Sequence, residues 1–277
     1  METKIKFIKK FRSTPLSKVY LINIANKKYI KKIIHADFVK EFYKQKYLSN
    51  KCKIIKIPKI HNINIKNGKA ISLMEFIPHE KNKLKLIEVL STISMFHKET
   101  ENVRSNIFAI YNFDSFHADF LNAKKYLPCG FKNMTKKQLR EFFAEVFNSK
   151  YAVVHGDFHE DQILKNKKYC LIDFASSFYG PKILDYAYIF RYDRKIKKQV
   201  LNYLNEGRKS SNGKLSLKFL KALIVIFVYD IAWFINRRRY ERKSFTKQIL
   251  KDKLAINRTM DKITNVMRIK TFSNLHN

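Results

Sequence analysis

The chain has 277 residues, of which 57 are Lys or Arg and 23 are Asp or Glu, giving a formal net charge of +34, while 45% are hydrophobic and 14% aromatic. This apolar content excludes a disordered polycation, because it supplies enough buriable surface to offset the conformational entropy lost on ordering. Cys52, Cys129 and Cys170 are widely spaced and form no CxxC pair, which argues against a disulfide framework or a cysteine-based zinc site.

No Pro-rich or Ser/Gly-rich linker divides the chain, so two lobes without a flexible tether are expected. The N-terminal stretch METKIKFIKKFR is charged throughout and does not resemble a signal peptide, which points to the cytoplasm. The positive charge has two readings. Abundant Lys, Asn, Ile, Phe and Tyr are what an AT-rich genome produces without functional selection. Alternatively, a field of one sign attracts phosphate-rich partners such as nucleic acid, acidic lipid headgroups or an anionic substrate.

In chain order, Val19 to Ile24 and Lys28 to Ile34 are β-branched and aromatic runs around Ala25-Asn26-Lys27, the pattern of a hairpin. Asp37 to Leu48 places Phe38, Phe42, Gln45 and Leu48 on one helix face. A second hairpin follows, Asn62 to Lys66 and Lys69 to Ile77, closed by Asn67-Gly68, whose residues tolerate the positive φ of a type I′ turn. The small lobe is expected to span residues 1–78 and the helical lobe residues 79–277. From Lys83 onward Leu86, Leu90, Ile93 and His97 recur at helical intervals. Thr135 and Gln138 form a capping box at the start of Leu139 to Phe147. Strand texture returns between Tyr151 and Asp173, and helices from Leu215 onward. The apolar segment Ala222 to Ile235 carries Asp230 and falls short of the roughly 20 residues a membrane helix needs, so a buried helix is expected.

Ionisable residues are densest in YAVVHGDFHEDQIL, residues 151–164, and a turn at Lys165 to Lys168 leads into YCLIDF, residues 169–174. The two segments read as a hairpin that brings Asp157, Gln162 and Asp173 to one end. Two carboxylates placed so suit a divalent cation and a proton acceptor. His155, Asp157 and His159 offer a transition-metal alternative. Asp173 with Gln162 fits Mg2+ better, because this ion prefers hard oxygen ligands and keeps several waters. His155 reads as a loop-stabilising hydrogen-bonding residue, and His159 as a solvated residue or a minor participant.

The segments HGDFHEDQIL (155–164), LIDF (171–174) and YGPKILDYA (179–187) resemble, in order and separation, the aminoglycoside phosphotransferase and choline kinase-like family, whose pattern is HGDxHxxN, IDF or IDW, and GPxxxDLA. The resemblance implies an α+β, two-lobed protein-kinase-like fold with a small β-rich N-terminal lobe and a larger helical C-terminal lobe. It implies ATP or GTP as phosphoryl donor and Mg2+ as cofactor. By position, Asp157 becomes the base that orients the acceptor hydroxyl and Asp173 a metal ligand. Gln162 stands where the family usually has Asn, retaining an amide oxygen displaced by one methylene. KKYIKKI resembles the strand bearing the phosphate-binding lysine, Lys32 in preference to Lys31, with Glu41 as its ion-pair partner. ISLMEFIP resembles the hinge between lobes, with Glu75, Phe76 and Ile77 beside the nucleotide.

The phosphate loop, Arg12 to Ser17, departs from the usual pattern in having no glycine. Ser13 and Ser17 are its candidate donors, and Asp185 is expected to be structural. The basic run RRRYERKSFTKQILKDK from Arg237 disfavours a polycationic aminoglycoside as acceptor and favours a neutral or anionic small molecule or glycan, such as a lipopolysaccharide core sugar, with possible contact to an acidic membrane surface. An atypical protein kinase is disfavoured because GPKILDYA follows Asp173 without an APE-type activation segment. No aromatic RNA-binding motif is present, so nucleic acid is not an expected partner.

Overall fold

The computed structural model describes residues 5–14, 16–79, 84–103, 105–191, 212–237 and 246–273. The fold is α+β and its chain forms two compact units, Met1–Ala109 with His155–Phe178, and Ile110–Val154 with Tyr179–Asn277.

The first unit is built on an antiparallel sheet of five strands, β1 (Ile5–Ser13), β2 (Ser17–Ile24), β3 (Lys27–His35), β4 (Ile60–Lys66) and β5 (Lys69–Glu75), in the order β1-β2-β3-β5-β4. Both expected hairpins form. Ala25 and Asn26 adopt φ of 47° and 62°, and Asn67 and Gly68 adopt 52° and 67°, the left-handed pairs that let two-residue turns match strand twist. Strand β1 is not announced by the sequence pattern. All nine of its residues are exposed, and bulges between Phe7 and Lys9 and between Lys10 and Arg12 break the two-residue period.

Helix α1 (Lys40–Lys51) lays Phe42 against Ile34, Ile60, Ala70 and Met74 of the sheet. Complete burial of such a phenylalanine contributes about 1.5–3 kcal/mol. Gln45, on the same helix face, donates to the Pro58 carbonyl at 2.9 Å and fixes the chain entering β4. Helix α2 (Leu86–Thr100) belongs to the same unit, and its Phe96 ring lies 5.9 Å from that of Phe174.

One expectation needs correction. Only β7 (Ile163–Lys165) pairs with β8 (Tyr169–Leu171), whereas β6 (Tyr151–Val154) pairs with β9 (Phe178–Pro181). Residues 155–162 are thus a loop between two small sheets, which leaves β6 through Gly156 at a φ of 80°. Lys56 bonds the other edge of β8, donating its N–H to the Tyr169 carbonyl at 3.0 Å and accepting from Leu171 at 2.9 Å.

The second unit is mainly helical: α3 (Phe113–Ala123), α4 (Cys129–Lys132), α5 (Lys136–Phe147), α6 (Ile183–Phe190), α7 (Asn212–Arg237) and α8 (Thr246–Ser273). Phe116 is fully buried with its ring 4.7 Å from Phe143, and Phe120 lies 5.3 Å from Phe131, so an aromatic core joins α3, α4 and α5. The Thr135 and Gln138 capping box forms. In α7, Leu217–Asn236 is 20 residues long, a longer apolar stretch than expected and sufficient by length and composition to cross a membrane. Most of it is instead buried against α3, α5, α6 and α8. Its Asp230 accepts from Tyr188 at 3.0 Å and from Arg191 at 2.6 Å, which compensates the carboxylate in this apolar setting. Of the basic cluster at 237–239, only Arg237 falls within the described residues.

Candidate active site

The first unit gathers several of the expected site residues. Lys32 projects from the middle of β3 and is only 8% exposed. Its ammonium donates to Glu41 Oε1 from α1 and, at 3.2 Å, to Asp173 Oδ1. Burial disfavours the charged amine, but the two carboxylates outweigh it and hold the Lys32 pKa above the ordinary lysine value. Burial also pushes the Asp173 carboxyl up, yet Lys32, then His155 and Arg12, bring it below the usual aspartate range. For Glu41 burial raises the pKa against the opposing pull of Lys32. A cation between two acids offers a partner to both carboxylates at once.

Local backbone geometry aims Asp173 at this cluster. Its φ is 64°, a left-handed conformation uncommon for non-glycine residues and most accessible to Asn and Asp. Gly156 is required for a different reason. At its φ of 80° a β-carbon would stand 2.2 Å from the Ser176 carbonyl oxygen, so only glycine lets the loop after β6 press onto the turn after Asp173. His155, fully buried, donates from Nε2 to the Ile172 carbonyl at 2.9 Å and packs on Phe158 and Phe174. It braces the residue immediately before Asp173.

Asp157 is partly exposed between buried Gly156 and Phe158. Gln162 is buried, and its amide nitrogen donates to His159 Nε2 at 3.0 Å, turning the amide oxygen away from that ring. Glu75 does not join the lysine cluster. Its carboxylate meets Lys56 at 2.6 Å and the Lys59 N–H at 3.2 Å, with Phe76 and buried Ile77 continuing the chain. Asp185 lies in the second unit, fully buried in the first turn of α6.

In the β1–β2 turn, Ser13 ends β1 and Ser17 opens β2. Ser17 Oγ is buried without a hydrogen-bond partner among the described residues, as is Ser72 Oγ, the cross-strand neighbour of Lys32. An unsatisfied Ser72 hydroxyl opposite the buried Lys32 fits a polar, phosphate-bearing ligand. Asp173 and Gln162 offer oxygen donors suited to Mg2+, and no cluster of three His, Cys, Asp or Glu capable of holding a metal occurs among the described residues.

Two residues escaped the reading of the sequence. Lys44, three positions after Glu41, donates to the carbonyls of Ala175 at 3.3 Å and Ser177 at 2.5 Å, fastening α1 to the turn after Asp173. Burial brings its pKa down to about 8, against the opposing effect of Glu41. Its spacing from Glu41 was a visible signal, obscured by the many other lysines. The second is Arg12, whose guanidinium lies 3.7 Å from Asp173 Oδ2.

A lysine on the third strand paired with a helix glutamate is an arrangement that protein kinases share. The family model of the phosphotransferase enzyme family matches residues 8–220, and the chain belongs to that family, as a kinase acting on an alcohol group. No curated protein sequence matches it. Among solved structures, a thermostable mutant of aminoglycoside phosphotransferase APH(4)-Ia in complex with ADP and hygromycin B is similar at a TM-score of 0.63 and 12% identity, over 94% of each chain. The ethanolamine kinase of Plasmodium vivax is similar at 0.59 and 13% identity, over 91% of this chain and 80% of the other. A Haemophilus somnus protein assigned as a fructosamine-3-kinase is similar at 0.57 and 16% identity, over 93% and 92%. At these identities the likeness establishes the fold.

Proposed function

We propose that the protein transfers the γ-phosphoryl group of ATP or GTP to a hydroxyl of a neutral or anionic small molecule or glycan. The observation that carries this reading is the cluster of buried Lys32 and Glu41 with partly buried Asp173, which keeps an ammonium charged on the face of the sheet where a polyphosphate would lie. Lys32 stabilises negative charge on the phosphates, Glu41 orients Lys32, and Ser13 and Ser17 add hydroxyl donors. The chain near Glu75, Phe76 and Ile77 receives the base. Asp173 and Gln162 would hold Mg2+, whose charge would offset that of the phosphates. Asp157 accepts the hydroxyl proton as the acceptor oxygen bonds to phosphorus and the bond from phosphorus to the nucleoside diphosphate breaks. His155 serves as a structural support of this arrangement, and Asp185 as a structural residue within the helical unit.

The choice of acceptor rests on charge. In the helical unit Asp114 pairs with Lys136 at 3.0 Å and Arg140 at 3.3 Å, Glu145 with Lys221 at 3.6 Å, and Asp230 with Arg191 at 2.6 Å, so these carboxylates already have cationic partners of the protein's own. A polycationic aminoglycoside would have to displace them, whereas a sugar, a sugar phosphate or a phosphorylated lipopolysaccharide core sugar at the inner membrane face would not. Nucleotide consumption measured over an acceptor panel that sets anionic and neutral sugars beside aminoglycosides tests the proposal. Turnover with the sugars is expected. Turnover confined to aminoglycosides would overturn the acceptor class, and nucleotide that is never consumed with any acceptor would count against the phosphotransfer reading itself.

A further inference from the structure

The turn between β1 and β2 is poorly made for holding phosphate through its backbone. Phosphate loops of the usual kind are glycine-rich and point free N–H groups at the ligand. Here the Thr14 N–H is spent on the Ser17 carbonyl at 2.8 Å and the Ser17 N–H on Thr14 Oγ1 at 3.0 Å. Residue 15 is proline, which has no N–H to offer. Between Arg12 and Ser17 no described residue has the positive φ of the left-handed turns that form an anion nest.

The strand leading into the turn supplies a substitute. In the β1–β2 register Lys10 opposes Tyr20, and Arg12, not Phe11, opposes Val19. Phe11 is therefore the extra residue of a bulge. Val19 in turn opposes Lys32 across β2 and β3. Cross-strand partners share a face of a sheet, and successive residues alternate. Without the bulge Arg12 would oppose Lys18 and face away from Lys32; with it, Arg12 lies on the same side as Lys32. Its half-exposed guanidinium stands 3.7 Å from Asp173 Oδ2, too long for a well-made ion pair and free to turn toward a ligand. Bulges beside functional sites commonly re-aim a side chain in this way.

We infer that Arg12 is a nucleotide-binding residue, which contacts the polyphosphate of the donor through its guanidinium in place of the missing backbone cradle. The planar fork of an arginine matches phosphate oxygens in a bidentate manner, and its charge complements the Lys32 ammonium on the same face. This inference rests on the proposed phosphotransfer function, because that reading puts a nucleoside triphosphate on this side of the sheet.

Calorimetric binding of ATP, ADP and AMP to the full chain and to its R12A and R12K variants, with Mg2+ and again in EDTA, tests it. R12A is expected to weaken ATP binding by about 10- to 100-fold, the range for loss of a charge-assisted hydrogen bond, and to leave AMP binding within about twofold; R12K should recover part of the loss. The effect should persist in EDTA, because the contact is to phosphate. An equal loss for ATP and AMP, no loss at all, or a loss seen only with Mg2+ would overturn the inference, the last by showing that Arg12 acts through Asp173. A wild-type chain that binds ATP while R12A is unchanged overturns this inference alone, and a wild-type chain that binds no nucleotide overturns the phosphotransfer reading with it.

Discussion

The two compact units treat their buried and partly buried carboxylates in opposite ways. In the first, Asp173 and Glu41 share the ammonium of Lys32, and Asp173 is held below the usual aspartate range. In the second, Asp119 of α3 receives a hydrogen bond from the Tyr111 hydroxyl at 3.0 Å, and burial raises its pKa to about 6, the phenol only partly opposing. A phenol donates one hydrogen bond but brings no charge, so it cannot offset desolvation as an ammonium does. Asp230 lies between these cases, buried in α7 but met by both Tyr188 and Arg191. Charge is therefore concentrated where it can act on a ligand, while the helical unit partners its acids locally.

The largest expected effects fall on catalysis. Asp157→Asn and Asp173→Ala should each lower turnover by about 10²–10⁴-fold with the circular dichroism of the folded chain retained, whereas Asp119→Asn should leave turnover near that of the wild type. Activity surviving both changes in the first unit would refute the assigned roles. Next is the stability of the charge cluster. Lys32→Met leaves buried Glu41 and partly buried Asp173 without their cation and should cost about 3–5 kcal/mol in urea unfolding. Arg191→Met should cost less, because Tyr188 still donates to Asp230. Equal losses would erase the contrast between the units.

The smallest effect is a pH dependence of opposite sign in the two units. The folded pKa of Asp119, about 6, lies above its ordinary value of 3.8, so its stabilisation is complete below pH 3.8 and is lost as pH rises through about 6. Relative to Asp119→Asn, the wild type should therefore lose up to about 3 kcal/mol between those limits. The Asp173 pKa is depressed, so its contribution is present above the ordinary aspartate value and fades as pH falls through the folded one. Thermal unfolding of wild type, Asp119→Asn and Asp173→Asn across pH 3–8 resolves the two slopes, and parallel curves would show that neither carboxylate is linked to folding as described.

Much of this was legible before the structure. Asn67-Gly68 marked its hairpin because both residue types admit left-handed φ cheaply, and the β-branched and aromatic runs on either side of Ala25-Asn26-Lys27 marked the other. Strand alternation put Lys31 and Lys32 on opposite faces, and the family resemblance chose Lys32 between them; in the fold Lys32 is buried and Lys31 only partly so. Strand β1 was not legible, since exposed residues interrupted by bulges leave no period to detect. Nor was the partner of β6, because four apolar residues specify a strand but not its neighbour. Arg12 and Lys44 were hidden among 57 basic residues, and only position separates them from the rest.

By itself the sequence determined the local turns, the helix-forming faces and the identity of the ionisable groups, because these depend on side-chain chemistry over a few neighbouring residues. Only the tertiary structure decided that Lys32 lies between Glu41 and Asp173, the latter separated from it by 141 positions in the chain, and that Asp173 adopts a φ of 64° to meet it. It also decided which carboxylates are neutralised by charge and which by hydrogen bonds alone. Those outcomes depend on burial and on distances between remote segments, and desolvation has no value until the fold has excluded water.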